Sequence, residues 1–347
     1  MSRMLEEIRQ QPQALAHTLA REIASVRKFQ RLVEKRRPKL VVLVARGTSD
    51  NAALFGRYLV EISTGIPVSL AAPSITTLYK APLDYREALV VAISQSGEST
   101  DTNLVLENAR RRGALTLGIT NESRSSLAKL ADHVFLVRAG KERSVAATKT
   151  YTGQMLILYL LAHALGGRIG VDDLERLPAA VEAALGLAPQ IEALSERYCF
   201  MRRAVVMGRG FNYPNAFEFA LKLMETCYVV AERFSSADFL HGPIALVEPN
   251  FPVFAFAPAG PTWPSIGETL TRLYGLHAEN VVIADPRNAR AAASAATRVI
   301  RFPVRLKEEL TPIPYIVPAQ LFAACLAEKK GLDPDRPRTL SKVTLTL

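Results

Sequence analysis

Six consecutive residues, Ser94-Gln95-Ser96-Gly97-Glu98-Ser99, carry the densest concentration of chemistry in the chain. They follow an unbroken apolar run, Ala88–Ile93, and precede a helical pattern from Thr102 to Arg110. A buried strand therefore empties into a polar turn that opens a helix. The first N–H groups of a helix have no partner inside it, and its dipole favours negative charge there. Hydroxyls and an amide add donors, and Gly97 lets the backbone approach a guest closely. The chemistry implied is capture of one phosphomonoester. An ordinary serine-capped turn has the same composition. No Lys-Ser/Thr pair ends the loop, so it is not a nucleotide P-loop.

These residues need a scaffold. Apolar runs at Lys39–Ala45, Pro67–Ala71, Ala88–Ile93, Leu115–Thr120 and His133–Val137 alternate with helical patterns. That alternation predicts a parallel sheet with helices on both faces. A helix over 147–166 closes the half, and a helical connector spans Val171–Tyr198. The pattern then restarts with strands at Ala204–Gly208, Phe251–Ala257, Asn280–Ala284 and Arg298–Phe302, and a helix from Ile316 to Lys330. Arg209-Gly210 repeats Arg46-Gly47, so the chain reads as two copies of one α/β unit. The expected divisions are a helical segment 1–38, a phosphate-binding domain 39–167, a connector 168–200, a second domain 201–332 and a tail 333–347. The tail has no strand to pair with, so it must dock or stay unfolded. Ligands in open α/β sheets sit at the carboxyl ends of strands, which brings Thr48-Ser49 to the same rim as Ser94–Ser99.

Composition narrows the function classes. The chain has 347 residues, 49% hydrophobic and 22% charged, as a globular enzyme of two domains would. The net charge is +10, but the basic clusters 27–37 and 110–112 lie on helices or at helix ends, so a nucleic-acid partner is not expected. The apolar stretch 155–165 is too short to span a bilayer, and 1–39 lacks the apolar core of a signal peptide, so no membrane partner is expected. Three scattered cysteines suggest neither a metal site nor a disulfide framework, which points to a reducing cytoplasm; the reaction expected below needs no metal or organic cofactor.

Gly47-Thr48-Ser49, Ser94–Ser99 and Val145-Ala146-Ala147-Thr148-Lys149 together resemble the sugar isomerase (SIS) fold. Ala220–Glu225, His241–Leu246 and Pro337–Lys342 continue the pattern. From about residue 20 onward the chain is similar to the isomerase part of the glucosamine-6-phosphate synthase family. The resemblance implies two tandem doubly wound, flavodoxin-like SIS domains. It implies that Thr48, Ser49, Ser94, Gln95, Ser96 and Ser99 hold the phosphate, and that Val145 and Ala147 line the sugar. Glu225 would move a proton between C1 and C2, with Lys222 stabilising charge beside it. His241 would assist ring opening across a homodimer interface, giving composite sites. Lys342 would reach over the sugar and could form a Schiff base. Independently, a carboxylate one helical turn from a lysine is a workable base with an adjacent charge for an aldose–ketose isomerisation. Taken singly, Lys222 and Glu225 would read as a surface pair, His241 as a turn residue and Lys342 as a solvated lysine.

Three departures from the family pattern matter. Arg46 stands where the synthase has a small residue, Ser99 replaces Thr, and Ala147 replaces Ser. The sequence contains no glutaminase domain or amino-terminal cysteine nucleophile, so release of ammonia is the expected direction. Stand-alone relatives with a similar Arg-Gly-Thr/Ser-Ser-Asp form act as glucosamine-6-phosphate deaminases. The expected reaction is therefore conversion of glucosamine 6-phosphate to fructose 6-phosphate and ammonia. The alternatives are a fructosamine-6-phosphate deglycase, with Arg46 and Ala147 accommodating an amino-acid carboxylate, and a non-catalytic phosphosugar sensor.

Overall fold

The computed structural model describes residues 1–340 and 342. The chain divides into two compact units. The first comprises residues 10–143, 147–178 and the tail from Thr339; the second comprises 1–9, 144–146 and 179–338.

In the first unit, β1 (Leu40–Val44), β2 (Val68–Leu70), β3 (Ala88–Ile93), β4 (Leu115–Thr120) and β5 (His133–Leu136) form one parallel sheet in the order β2-β1-β3-β4-β5. β3 is central, with Val42 level with Val90 and Val91 level with Leu117. All six of its residues are buried, because helices cover both faces. Each fully buried valine or leucine there contributes about 1.5–3 kcal/mol relative to exposure. The helix Gln11–Arg36 packs Phe29 edge-on against Phe135 at 5.3 Å. The helix Lys149–Ala164 is buried at every position except His163; its Met155–Ala162 stretch is apolar throughout, while its first turns bury Lys149, Thr150, Thr152 and Gln154. The sheet reverses its winding between β1 and β3, so the loops after these strands diverge and leave a hollow at their carboxyl ends.

The second unit repeats the plan. β6 (Arg203–Gly208), β7 (Val230–Ser235), β8 (Pro252–Ala257), β9 (Glu279–Ala284) and β10 (Arg298–Arg301) run parallel in the order β7-β6-β8-β9-β10, the same winding as the first sheet. Its core is aromatic: Phe254 lies 5.2 Å from Phe219 and 5.0 Å from Phe322. The two sheets establish the expected doubly wound α/β architecture.

Several elements differ from the sequence reading. β7 was not expected: it is an edge strand whose Glu232 and Arg233 break any apolar run. The connector is three helices, Val171–Leu174, Leu177–Leu185 and Ala188–Arg197, with Pro178 and Pro189 near the starts of the latter two. The amino-terminal helix breaks at Gln10 into Arg3–Arg9 and Gln11–Arg36. The last helix starts at Pro312 rather than Ile316, because proline is tolerated in a first turn whose N–H groups lack partners anyway. The tail docks as far as it is described. The Asp335 carboxylate accepts from Arg3 N–H (2.7 Å) and Met4 N–H (3.0 Å), and the Arg338 guanidinium lies 3.8 Å from the Tyr228 ring centroid.

Candidate active site

In the first unit, β3 ends at Ile93 and six residues separate it from the helix Thr100–Arg111. Ser94 is buried and its Oγ accepts from Gly97 N–H at 3.1 Å; Ser96 Oγ accepts from Glu98 N–H at 3.3 Å. Both hydroxyl protons thus remain to be donated to an anion. Gly97 has φ +68°, and a Cβ there would lie 2.2 Å from Ser125 Oγ, so any other residue strains the turn. Glu98 is drawn away: its carboxylate accepts from Ser126 N–H (2.9 Å) and Ser126 Oγ (2.7 Å). The Ser126 hydroxyl and N–H hold the Glu98 carboxyl below its usual range. The loop's one acid is thereby spent on the start of the helix Ser126–Leu130 instead of repelling a phosphate.

The neighbouring strand contributes the other hydroxyls. Gly47 precedes the helix Thr48–Thr64, placing Thr48 and Ser49 in its first turn. Ser49 is buried, and its Oγ accepts from Gln154 Nε2 at 3.0 Å. Ser99 differs from the other serines. Its Oγ donates to Asp101 Oδ1 (3.0 Å) and lies 3.0 Å from Thr102 Oγ1. Asp101 is fully buried and pairs with Arg46 Nε at 2.6 Å, while 52% of the Arg46 side chain is exposed. An ion-paired arginine therefore stands beside the cradle, joined to its last serine through Asp101. Gln95 and Ala147 are half-buried in the same unit, where Lys342 Nζ also donates to Glu142 Oε2 at 2.9 Å.

The second unit carries Lys222, Glu225, His241 and Val145. Lys222 is fully buried on the helix Tyr213–Cys227, with Glu225 Oε2 at 2.5 Å and Glu218 Oε1 at 3.4 Å. Burial alone would lower its pKa, but the two carboxylates together outweigh that and raise it, so the amine stays charged. Glu218 is fully buried, whereas 24% of the Glu225 side chain is exposed. The excess negative charge of this trio therefore has one solvent-facing outlet, Glu225. His241 follows the helix Ser236–Leu240 and is exposed; Val145 is half-buried.

The second unit has its own counterpart of the cradle, between the loops after β6 and β8. A carboxylate already fills it. Glu308 Oε1 accepts from Thr262 Oγ1 (2.7 Å) and Oε2 from Thr262 N–H (3.3 Å). A Cβ on Gly260 would lie 2.0 Å from Glu308 Oε2, and one on Gly210 would lie 3.5 Å from Oε1.

Sequence reasoning missed Glu218, Asp101, Gln154, Glu142 and Glu308. The spacing of Glu218, Lys222 and Glu225 along one helix face was a usable signal for the first. Each of the other four has a partner far along the chain: Asp101 has Arg46, Gln154 has Ser49, Glu142 has Lys342 and Glu308 has Thr262. Among the described residues, no group of three His, Cys, Asp or Glu is arranged to hold a metal.

Two like-wound parallel sheets, with a hydroxyl-lined helix start at the switch point of one, define a tandem doubly wound α/β protein. An SIS-domain family model matches residues 36–164 and 201–327, and the chain belongs to that family. It is 36% identical over 346 residues to the glutamine–fructose-6-phosphate aminotransferase (isomerizing) of Pyrococcus horikoshii, an alignment covering 98% of this chain. The chain spans about 57% of that relative's length. The C-terminal domain of glucosamine-fructose-6-phosphate aminotransferase from Francisella tularensis superposes with a TM-score of 0.90 at 29% identity, covering 97% of this chain and 98% of that one. A provisionally assigned phosphosugar isomerase from Silicibacter pomeroyi gives a TM-score of 0.85 at 32% identity, covering 96% and 100%.

Proposed function

We propose that the chain is a phosphosugar isomerase acting on hexosamine 6-phosphates, with deamination of glucosamine 6-phosphate as its reaction. Ser94, Gln95, Ser96, Thr48 and Ser49 bind the phosphate, and Ser99 joins them on leaving Asp101. Val145 and Ala147 line the sugar. His241 helps open the ring, freeing an aldehyde at C1 beside the amine at C2. Glu225 takes the C2 proton and returns it to C1, while the Lys222 charge stabilises the enolamine formed between these steps. The C2 imine that results takes up water and leaves as fructose 6-phosphate and ammonia. Lys342 acts on the same sugar. A homodimer supplying His241 across its interface, and a cytoplasmic location, belong to this reading.

The observation that carries it is the buried Glu218–Lys222–Glu225 trio, whose single exposed member is a carboxylate held by a cation. A base that must take and return one proton is served by such fixation. The names of the relatives, which concern fructose 6-phosphate and phosphosugars, support the substrate class. The test is ammonia release from glucosamine 6-phosphate by wild type and Glu225→Gln. The variant is expected to lose about two to four orders of magnitude in kcat. Unchanged turnover would remove Glu225 from the mechanism. The exposed, Asp101-anchored Arg46 favours a second reading, cleavage of a phosphorylated fructosamine with the guanidinium holding an amino-acid carboxylate. Product analysis on both substrates separates the two.

A further inference from the structure

Glu142 lies ahead of the helix Lys149–Ala164 and is 4% exposed. Its Oε1 accepts from the N–H groups of Thr148 (2.9 Å) and Thr150 (3.1 Å). Its Oε2 accepts from Thr150 Oγ1 (2.6 Å) and from Lys342 Nζ (2.9 Å). Two of these donors are backbone groups at the helix start that have no partner inside the helix. The carboxylate is therefore fixed at three points besides its bond to Lys342. Burial by itself would raise the Glu142 pKa, but the Lys342 charge and these hydrogen bonds together lower it. Some 25% of the Lys342 side chain remains exposed. A flexible four-carbon side chain near the end of the chain is thus tied by its amine to an immobile anchor.

We propose that Glu142 is a positioning residue: it seats the Lys342 amine for its work on the sugar without touching the substrate itself. This rests on the role given above to Lys342. The amide of Glu142→Gln is oriented by the two backbone N–H groups, which claim its carbonyl oxygen. Its NH2 group must then replace Oε2 and face the Lys342 ammonium, donor against donor. The substitution removes the seat, and the Thr150 hydroxyl must turn to accept from the amide, while the two backbone bonds to the helix start are kept.

The test compares wild type, Glu142→Gln, Lys342→Met and the double variant. Glu142→Gln should lower kcat roughly a hundredfold, as a small misplacement of a reacting group does. KM should stay within about threefold, because the phosphate cradle is untouched. In the Lys342→Met background the glutamine should cost nothing further, since coupled residues are non-additive. Wild-type kcat in Glu142→Gln, or a double variant falling by the product of the single losses, overturns the proposal. A second readout does not need turnover: the rate at which an amine-acetylating reagent modifies Lys342, followed by mass spectrometry. That rate should rise several-fold in Glu142→Gln, and an unchanged rate overturns the proposal. If wild type turns over no phosphosugar, the functional reading fails, while faster labelling still supports the seat. If Glu142→Gln does not fold, Glu142→Asp serves in its place, because shortening the side chain draws the carboxylate back from Lys342. Labelling at the wild-type rate in that variant likewise overturns the proposal.

Discussion

At the scale of single residues, the chain uses carboxylates in three distinct ways. Glu98 is turned onto a helix start, Glu225 is held by a cation and exposed, and Glu308 occupies a hollow that elsewhere would take a ligand. The last arrangement makes a prediction about pH. Burial, assisted by Glu309, raises the Glu308 pKa in the folded chain, while its bonds to Thr262 only partly oppose the shift. The native state then binds more protons than the unfolded state between the two pKa values, so this group's contribution to stability falls as pH rises. Wild type should therefore gain stability relative to Glu308→Gln as the pH is lowered from 7 towards 4. Urea denaturation of both proteins across that range measures the difference; a gap that stays constant or widens the other way would count against a raised pKa.

At the scale of elements, the decisive unit is a strand, a tight turn and a helix start. Gly97 links them by a positive φ and by close approach to Ser125, whose own Oγ caps the helix Ser126–Leu130 and cannot yield freely. Gly97→Ala adds a left-handed strain of about 1–2 kcal/mol and an overpacking cost of about 1–3 kcal/mol. The variant should lose at least about 2 kcal/mol in urea denaturation and bind hexose 6-phosphate more weakly in calorimetry. Wild-type stability with full binding would show that the turn relaxes around a methyl group. The strands, the turn and the repeated winding were legible because buried parallel strands write themselves as continuous apolar runs. β7 was not, because an edge strand needs only one apolar face and this one carries Glu232 and Arg233. The place of Ser94 and Ser96 in the turn between β3 and the next helix start was legible from position alone. The engagement of Ser99 with Asp101 was not, since Asp101 also answers to Arg46, 55 positions away.

At the scale of the whole molecule, one fold occurs twice with different fillings. The first unit keeps hydroxyls at its switch point, and the second keeps Glu308. Titration with a hexose 6-phosphate should therefore saturate at one ligand per chain, and at a concentration a hundred times Kd it should stabilise the protein by about 2.7 kcal/mol. Two equivalent phosphates per chain would mean that Glu308 gives way. By itself, the sequence determined the doubled α/β winding, the glycine-containing hydroxyl-rich turn and the family, because each is written in contiguous residues: apolar runs, a glycine and its hydroxyls, short motifs. Only the tertiary structure decided which charges neutralise one another. Arg46 with Asp101 and Lys342 with Glu142 are pairs between distant positions. Burial in a medium that solvates charge poorly, not proximity along the chain, selects them.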